Sequence, residues 1–311
     1  MTLQDKVNDL FTEWSGHSGP VVDIVSGSEI IDCALCGYRH VVPLPTEEEL
    51  QETYAKEYYR DEKPTYLSHA SEDYQWATLA FQDRLEIFKS HLPSDRRRLL
   101  DIGSGPGYFL KYATDCGWKA EGIEPSQQAA AHSQELGLKV TQAFFGPKTA
   151  PTLGTFDVIN MNNMLEHVPA PRDLVCEAVS ILKEGGLVCI TVPNDYNPFQ
   201  ETLRDKAGLD PWWVVPSHHL NYFTFDSISQ LMENAGLEIL SRTTSFPMEM
   251  FLLMGDNYVG NDTLGRACHT KRKTFDLLLQ QSGNGQLRRD LYALFAKLGL
   301  GREAIVIGKK V

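Results

Sequence analysis

Glycines alternate with other residues in a short segment, Asp101-Ile-Gly-Ser-Gly-Pro-Gly, that directly follows an apolar run. Glycine at positions 103, 105 and 107 lets the backbone turn tightly and approach a ligand closely, because no Cβ stands in the way. Asp101 ends the predicted strand, where its carboxylate can face a cationic amine. A dinucleotide site would place its third glycine at position 108, where this chain has Tyr108. The segment therefore favours a small ligand with an amino group over a nicotinamide dinucleotide.

The elements that must hold this loop follow from the apolar pattern around it. Glu124 ends a second predicted strand, 23 positions after Asp101, which is the length of one strand–helix–strand step. An acid at that strand tip can accept hydrogen bonds from both hydroxyls of a ribose. Further strands are predicted at residues 156–160 and 187–192, on either side of a helix from about 171 to 183. This alternation predicts a Rossmann-like α/β domain.

Four segments in this order resemble the class I S-adenosylmethionine (SAM) methyltransferases. They are the glycine loop, the acid at 124, the strand at 156–160 and the run Met164-Leu-Glu-His-Val-Pro. The resemblance covers roughly residues 95–245 and implies a seven-stranded sheet whose last strand is antiparallel. It also implies a SAM site with contacts from Asp101, Gly103, Ser104, Gly105, Gly107, Glu124, Pro125, Asn163 and Leu165.

The N-terminal segment carries a cysteine pair, Cys33-Ala-Leu-Cys36, whose spacing suits a zinc knuckle. It resembles the second half of the zinc-ribbon module in sugar C-methyltransferases, although the earlier cysteine pair of that module is absent here. His17 is the candidate third ligand and His40 the candidate fourth. A structural zinc ion and a knuckle that no longer binds metal are both open interpretations.

Residues 46–92 are predicted to be largely helical and contain a tyrosine-rich run with Tyr58 and Tyr59. The resemblance implies that this run is a lid, with one of these two tyrosines, Tyr59 in our assignment, touching the cofactor. The alternative is a helix that uses its aromatic side chains only to pack on the main domain.

A long insert, residues 194–224, follows the fifth predicted strand of the sheet. Such loops are often functional, and this one leaves the sheet at the edge where ligands bind. His219 matches the histidine of the sugar C-methyltransferase pattern H-x-x-[YF]-F-[ST], but Pro216 and His218 replace the tyrosine and glutamate of that family. His219 and His218 are candidate bases, against the alternative of hydrogen-bonded loop anchors. Without the tyrosine, O-, N- and C-methylation all stay open.

The chain divides into five predicted parts. Residues 1–45 are the zinc-ribbon-like segment, 46–95 the helical linker or lid, and 96–246 the SAM-binding domain. Residues 247–300 are a helical insert or cap, and 301–311 the final strand of the SAM domain.

Bulk properties narrow the function. The net charge of −12 disfavours nucleic acid as a partner, because phosphate neutralisation dominates such binding. No apolar run approaches the ~18 residues of a membrane span, and the first residues lack a signal-peptide core, so a cytoplasmic protein is expected. We therefore expect a SAM-dependent methyltransferase for a small acceptor, such as a nucleotide-linked sugar or a secondary metabolite. A SAM-binding regulatory partner without activity is the alternative, and a homodimer is an open option.

Overall fold

A computed structural model describes residues 10–46 and 72–311, so Tyr54, Tyr58 and Tyr59 lie outside the described residues. Its strands are β1 (Phe11–Trp14), β2 (His17–Val25), β3 (Ser28–Asp32), β4 (Arg39–Val42), β5 (Arg98–Ile102), β6 (Lys119–Glu124), β7 (Val140–Gln142), β8 (Phe156–Asn162), β9 (Leu182–Pro193), β10 (Asn221–Tyr222), β11 (Leu237–Thr243) and β12 (Glu303–Lys310). Its helices are α1 (Tyr74–His91), α2 (Tyr108–Asp115), α3 (Gln127–Glu135), α4 (Ala150–Leu153), α5 (Pro171–Ser180), α6 (Pro198–Ala207), α7 (Phe225–Asn234), α8 (Glu249–Leu253), α9 (Asp262–Gln281) and α10 (Gly285–Lys297), with a 3₁₀ turn at Leu165–His167.

The larger sheet has seven strands in the order β11-β12-β9-β8-β5-β6-β7. The strands from β9 to β7 pair in parallel, and β12 is inserted antiparallel between β9 and β11. Apolar clusters cover both faces of this sheet, as expected for parallel strands buried between helices. The predicted Rossmann-like α/β sheet with an antiparallel last strand is confirmed.

A smaller antiparallel sheet has the order β1-β2-β3-β4-β10. Its first four strands come from the N-terminal segment, but β10 comes from the insert at residues 194–224. His40 on β4 lies opposite Asn221 on β10, and Val41 N donates to Leu220 O at 2.9 Å. The N-terminal segment is therefore joined by backbone hydrogen bonds to the insert that carries His219.

Two local predictions differ from the structure. The helix predicted to reach residue 183 ends at Ser180, because Leu182 is buried against the sheet and pairs with Phe156 on β8. The insert at 194–224 is not one continuous loop. It contains α6, which begins where the Asn197 side chain accepts hydrogen bonds from the backbone N–H groups of Phe199 and Gln200.

The helices α8, α9 and α10 lie between β11 and β12 in the chain, as predicted for the helical insert. A buried carboxylate joins this insert to α1. Asp276 accepts from Trp76 Nε1 at 2.7 Å and from the hydroxyl of Tyr292. Within the described ranges, no helix combines the length and the apolar character that crossing a membrane requires.

Candidate active site

A cavity of about 1160 Å³ lies at the carboxyl ends of β5, β6, β8 and β9. Of the residues predicted to bind the cofactor, those that line it are Asp101, Gly103, Ser104, Gly105, Glu124, Pro125 and Asn163. Of the two candidate bases, His219 lines it and His218 does not. Tyr59 lies outside the described residues, so its contact with a cofactor stays a prediction. The strand order gives the cavity two ends, one over β5 and β6 and the other over β8, β9 and β12.

Glu124 holds the glycine loop at the first end. Its Oε2 accepts a hydrogen bond from Gly105 N and its Oε1 one from Ser126 N, each at 2.9 Å. Burial raises the pKa of this carboxyl, and the two backbone donors oppose that rise. Each oxygen keeps a further lone pair, so the carboxylate can accept hydrogen bonds from the two hydroxyls of a ribose.

Gly107 is not among the residues that line the cavity, and its contact with the cofactor stays a prediction. Its φ of +82° makes the turn into α2, and a Cβ added there would lie 2.5 Å from Ser133 Oγ. Backbone shape and close packing therefore require glycine at this position.

Asp101 is buried at the end of β5, 2% exposed, and its Oδ1 accepts from Asn160 Nδ2 at 2.6 Å. Desolvation raises the pKa of Asp101 to about 7, against the hydrogen bond from Asn160 and the charge of Arg84. Arg84 on α1 in turn donates to Asn160 Oδ1 at 3.3 Å. A carboxylate so desolvated is best compensated by a cation in the cavity, such as the ammonium of an amino acid.

The second end carries three acid–base groups, Glu166, His167 and His219, whose oxygen and nitrogen atoms lie within 4.8 Å of one another. His167 Nδ1 donates to the carbonyl oxygen of His218 at 2.6 Å, which leaves Nε2 as the basic nitrogen of a neutral ring. That Nε2 lies 3.7 Å from Glu166 Oε1, and the rings of His167 and His219 are 5.0 Å apart. The group can accept a proton and stabilise the resulting charge.

Backbone contacts explain how these residues come together. The Asn221 side chain donates to Leu165 O at 3.0 Å and to Val168 O at 2.7 Å, which fixes the 3₁₀ turn. Leu220 N donates to Glu166 O at 2.7 Å, which brings the segment after His219 against that turn. The Leu165 side chain is fully buried in the core, and the contact of this residue with the cofactor stays a prediction.

Sequence reasoning missed Glu166 and His167 as functional groups, although both lie in the run that carried the family resemblance. It also missed Arg272 and Arg302, which line the cavity from α9 and from the residue before β12. Nothing in the local pattern singles out either arginine, because each comes from a segment far along the chain from the glycine loop.

A second cluster lies in the smaller sheet, outside the cavity lining, and comprises His17, Cys33, Cys36 and His40. His17 Nδ1 lies 3.6 Å from Cys33 Sγ and 3.3 Å from Cys36 Sγ. A tetrahedral zinc ion with bonds of about 2.0–2.3 Å would hold its ligands about 3.3–3.8 Å apart. His40 Nδ1 donates to Val41 O at 2.8 Å, and its buried Nε2 has no hydrogen-bond partner in the described part of the chain. The donor set and spacing fit zinc.

Comparison with known proteins decides the family. Residues 67–242 match a family model described as a methyltransferase domain, which is more than half of the chain. The chain belongs to the methyltransferase-domain family. This confirms the class I methyltransferase resemblance; the closer resemblance to sugar C-methyltransferases stays a prediction.

Two relatives are named as ubiquinone biosynthesis O-methyltransferases. The protein from Nitrosococcus oceani is 37% identical over 117 residues, which are 36% of this chain and 50% of the relative. The protein from Azoarcus sp. is 30% identical over 170 residues, 51% of this chain and 71% of the relative. The chain spans about half the length of the first of these relatives.

Solved structures share the methyltransferase fold at low sequence identity. The plantazolicin methyltransferase BpumL in complex with S-adenosylhomocysteine (SAH) superposes with a TM-score of 0.51 at 16% identity, covering 85% of this chain and 97% of that one. Magnesium protoporphyrin IX methyltransferase from Synechocystis PCC 6803 gives a TM-score of 0.51 at 11% identity, covering 86% and 100%. These likenesses support the fold alone.

Proposed function

We propose that this protein transfers a methyl group from SAM to a small-molecule acceptor at the cavity over the large sheet. The observation that carries the proposal is the pairing of two ends in one cavity. One end has Asp101 and Glu124 beside a glycine loop, and the other has Glu166, His167 and His219. A SAM-binding regulatory protein has no need of the second group, which favours an enzyme.

The residues of the first end suit SAM in charge and shape. Asp101 would hold the ammonium of its amino acid part, and Glu124 would accept from the ribose hydroxyls. Gly103 and Gly105 leave the backbone accessible along the loop between them. When bound, SAM supplies a methyl group on a sulfonium, which is already a good leaving group. The protein therefore contributes mainly alignment, which can lower a barrier by about 7–11 kcal/mol.

The residues of the second end suit an acceptor that must lose a proton. The relatives are named O-methyltransferases, and a hydroxyl acceptor would form its new O–C bond as its proton passes to an imidazole. We assign His219, which has His167 beside it, as the base that takes this proton. Glu166 then stabilises the positive charge of the protonated imidazole. General-base catalysis of this kind contributes about 10²- to 10⁴-fold. His218 supplies its backbone carbonyl to orient His167 rather than a base of its own.

The test is a calorimetric titration of the purified protein with SAH, followed by detection of SAH released from SAM with hydroxyl-bearing acceptors. We expect Asp101→Asn to weaken SAH binding about tenfold or more, the effect of one lost charged hydrogen bond. Asp115→Asn, an exposed carboxylate on α2 that pairs with Lys111, is the matched control and should bind normally. A folded wild-type protein that does not bind SAH would end the proposal. Binding without release from any acceptor would favour the regulatory alternative.

We infer further that His17, Cys33, Cys36 and His40 hold a structural zinc ion. Burial raises the pKa of the Cys36 thiol to about 12, so a thiolate there needs a cation beside it. Atomic emission of protein purified without chelator should find about one zinc per chain. Cys36→Ser should lose the metal, and Cys116→Ser, at an exposed cysteine elsewhere, should keep it. Metal-free wild-type protein with a normal Tm would contradict the inference.

A further inference from the structure

Two arginines that line the cavity, Arg272 and Arg302, form no ion pair with a carboxylate among the described residues. Within the described ranges, neither Arg272 nor Arg302 has a carboxylate oxygen within 4.0 Å, whereas Arg96 and Arg98 each form an ion pair at 2.9 Å. The contrast is notable in a chain with a net charge of −12, where acidic partners are plentiful. Unpaired guanidinium groups that face a cavity are a common means of binding an anionic ligand.

Arg272 is held in place by groups that use only part of its guanidinium. Its Nε donates to His269 Nδ1 at 2.8 Å, and His269 Nε2 bonds to Asp73 Oδ2 at 2.6 Å. The guanidinium lies over the ring of Trp76, with its carbon 4.8 Å from the ring centre. No described residue accepts a hydrogen bond from its two terminal nitrogens, so both remain for a ligand.

Arg302 is fixed by its backbone and leaves its whole guanidinium unused among the described residues. Its carbonyl accepts from Asn194 N at 3.1 Å, which anchors it beside the end of β9. Its side chain makes no hydrogen bond within the described ranges, and the residue is exposed although it lies in the cavity wall. Its surface therefore opens into the cavity.

Three carboxyl groups near Arg302, those of Glu249, Asp195 and Glu303, raise its pKa from beyond ion-pair distance. Glu249 accepts from Gln200 Nε2 at 3.1 Å, and Glu303 accepts from Asn163 Nδ2 at 3.3 Å. Desolvation raises the pKa of Asp195 to about 8, so this carboxyl is largely protonated at neutral pH. None of the three forms an ion pair with Arg302.

The two arginines are close enough for the charge of Arg302 to act on Arg272. Burial lowers the pKa of Arg272, and the positive charge of Arg302 lowers it further. The charges of Glu303, Asp73 and Asp276 oppose this lowering, although none of these three carboxylates forms an ion pair with Arg272. Their position is also informative. Arg302 directly precedes β12, which lies beyond β9 and β8 when viewed from β5 and β6, and Arg272 on α9 lies over Trp76 of α1.

We propose that Arg272 and Arg302 form a subsite for an oxyanion, a carboxylate or a phosphate, carried by the methyl acceptor. This rests on the proposed function insofar as it places the anion on the acceptor. The subsite would hold the charged part of the acceptor while His219 meets its reacting hydroxyl. The substrate class is then a small anionic hydroxy compound rather than a neutral one.

The first test uses the wild-type protein and needs no variant. Phenylglyoxal modifies accessible arginines, and peptide mapping reports the rate at each position, with and without inorganic phosphate or benzoate at constant ionic strength. We expect either anion to slow modification of Arg302 at least fivefold relative to Arg266, an exposed arginine on α9. Equal rates with and without anion would overturn the proposal. An Arg302 that resists modification without anion would overturn it too, because such a side chain is closed to a ligand.

The second test uses Arg302→Gln with Arg266→Gln as the matched control. Anion binding raises Tm by mass action, and we expect the apparent affinity for the better anion to fall about tenfold in Arg302→Gln only. An equal response in both variants would overturn the proposal, and if Arg302→Gln does not fold, the modification rates decide alone. The stronger of phosphate and benzoate indicates which oxyanion the acceptor carries. SAH titration of the same wild-type sample separates the two proposals. A protein that does not bind SAH would contradict the methyltransferase function, whereas the anion subsite is tested by the protection of Arg302 alone.

Discussion

His40 lies directly opposite Asn221 in the register of β4 and β10, and the Asn221 amide holds the turn that carries His167. Asn221 thus connects His40, a candidate zinc ligand, with the turn that carries His167, a candidate acid–base group. The backbone bond from Val41 N to Leu220 O strengthens this connection. The smaller sheet therefore serves as the support of the acceptor end, although it contributes no residue to the cavity lining.

Loss of zinc should affect the acceptor end more than the cofactor end. Disordering β4 would release β10 and the turn at His167, but it would leave the glycine loop and Glu124 in place. We expect Cys36→Ser to lower kcat about tenfold or more with the dissociation constant of SAH within about twofold, since tenfold corresponds to ~1.4 kcal/mol. Turnover and SAH titration on the same sample check this. Equal losses in both quantities would mean that the small sheet supports the whole fold instead.

Glu124→Gln should weaken SAH binding by about ten- to hundredfold. The amide keeps one uncharged acceptor oxygen, so one of Gly105 N and Ser126 N loses its acceptor, and the ribose loses one of its two acceptor oxygens and the negative charge. Calorimetric titration measures the change. Glu135→Gln, at an exposed position on α3, is the control and should bind as the wild type does. An unchanged affinity in Glu124→Gln would remove the ribose from this strand tip.

Asp195 should make the wild-type protein less stable as pH rises. Its pKa is raised by burial to about 8 from an unfolded value of 3.8, so between these values the folded state holds a proton that the unfolded state has lost. The free energy of unfolding then falls by about 1.4 kcal/mol per pH unit from this group. We therefore expect denaturant titrations to show that the free energy of unfolding of Asp195→Asn increases relative to that of the wild type as the pH rises from 5 to 8.

Asp290→Asn, at an exposed carboxylate on α10, is the control for that pH series and should track the wild type. A gap between Asp195→Asn and wild type that stays constant with pH would show that Asp195 is ionised in the folded state.

His219→Gln should reduce kcat by about 10²- to 10⁴-fold if the acceptor proton passes to this ring. His167→Gln should reduce it as well, because the replacement removes the neighbouring basic nitrogen and the bond to His218 O. The dissociation constant of SAH should stay unchanged in both, since Asp101 and Glu124 are untouched. His91→Gln, at an exposed position on α1, is the control. A kcat within threefold of the wild type in both variants would exclude base catalysis by this pair.

The cofactor end could be predicted from the sequence because its parts are close together in the chain. A strand that ends at Asp101, a glycine loop and a second strand that ends at Glu124 form one unit whose geometry follows from local backbone preferences. The alternation of apolar strands and helices then determines the parallel sheet. Spacing alone does not show whether a residue of this unit faces the ligand or the packed side, and at Gly107 only the structure shows the close packing against Ser133.

The acceptor end was decided by the tertiary structure. The sequence predicted a metal site at the cysteine pair with His17 and His40 as candidate ligands, and the pairing of β2, β3 and β4 brings the four residues together. In the same way, β10 joins β4 across about 180 residues of chain, and Arg302 reaches the cavity only because β12 is inserted beside β9. Contacts between segments so far apart depend on the burial of the whole core, and no local pattern in this sequence encodes them.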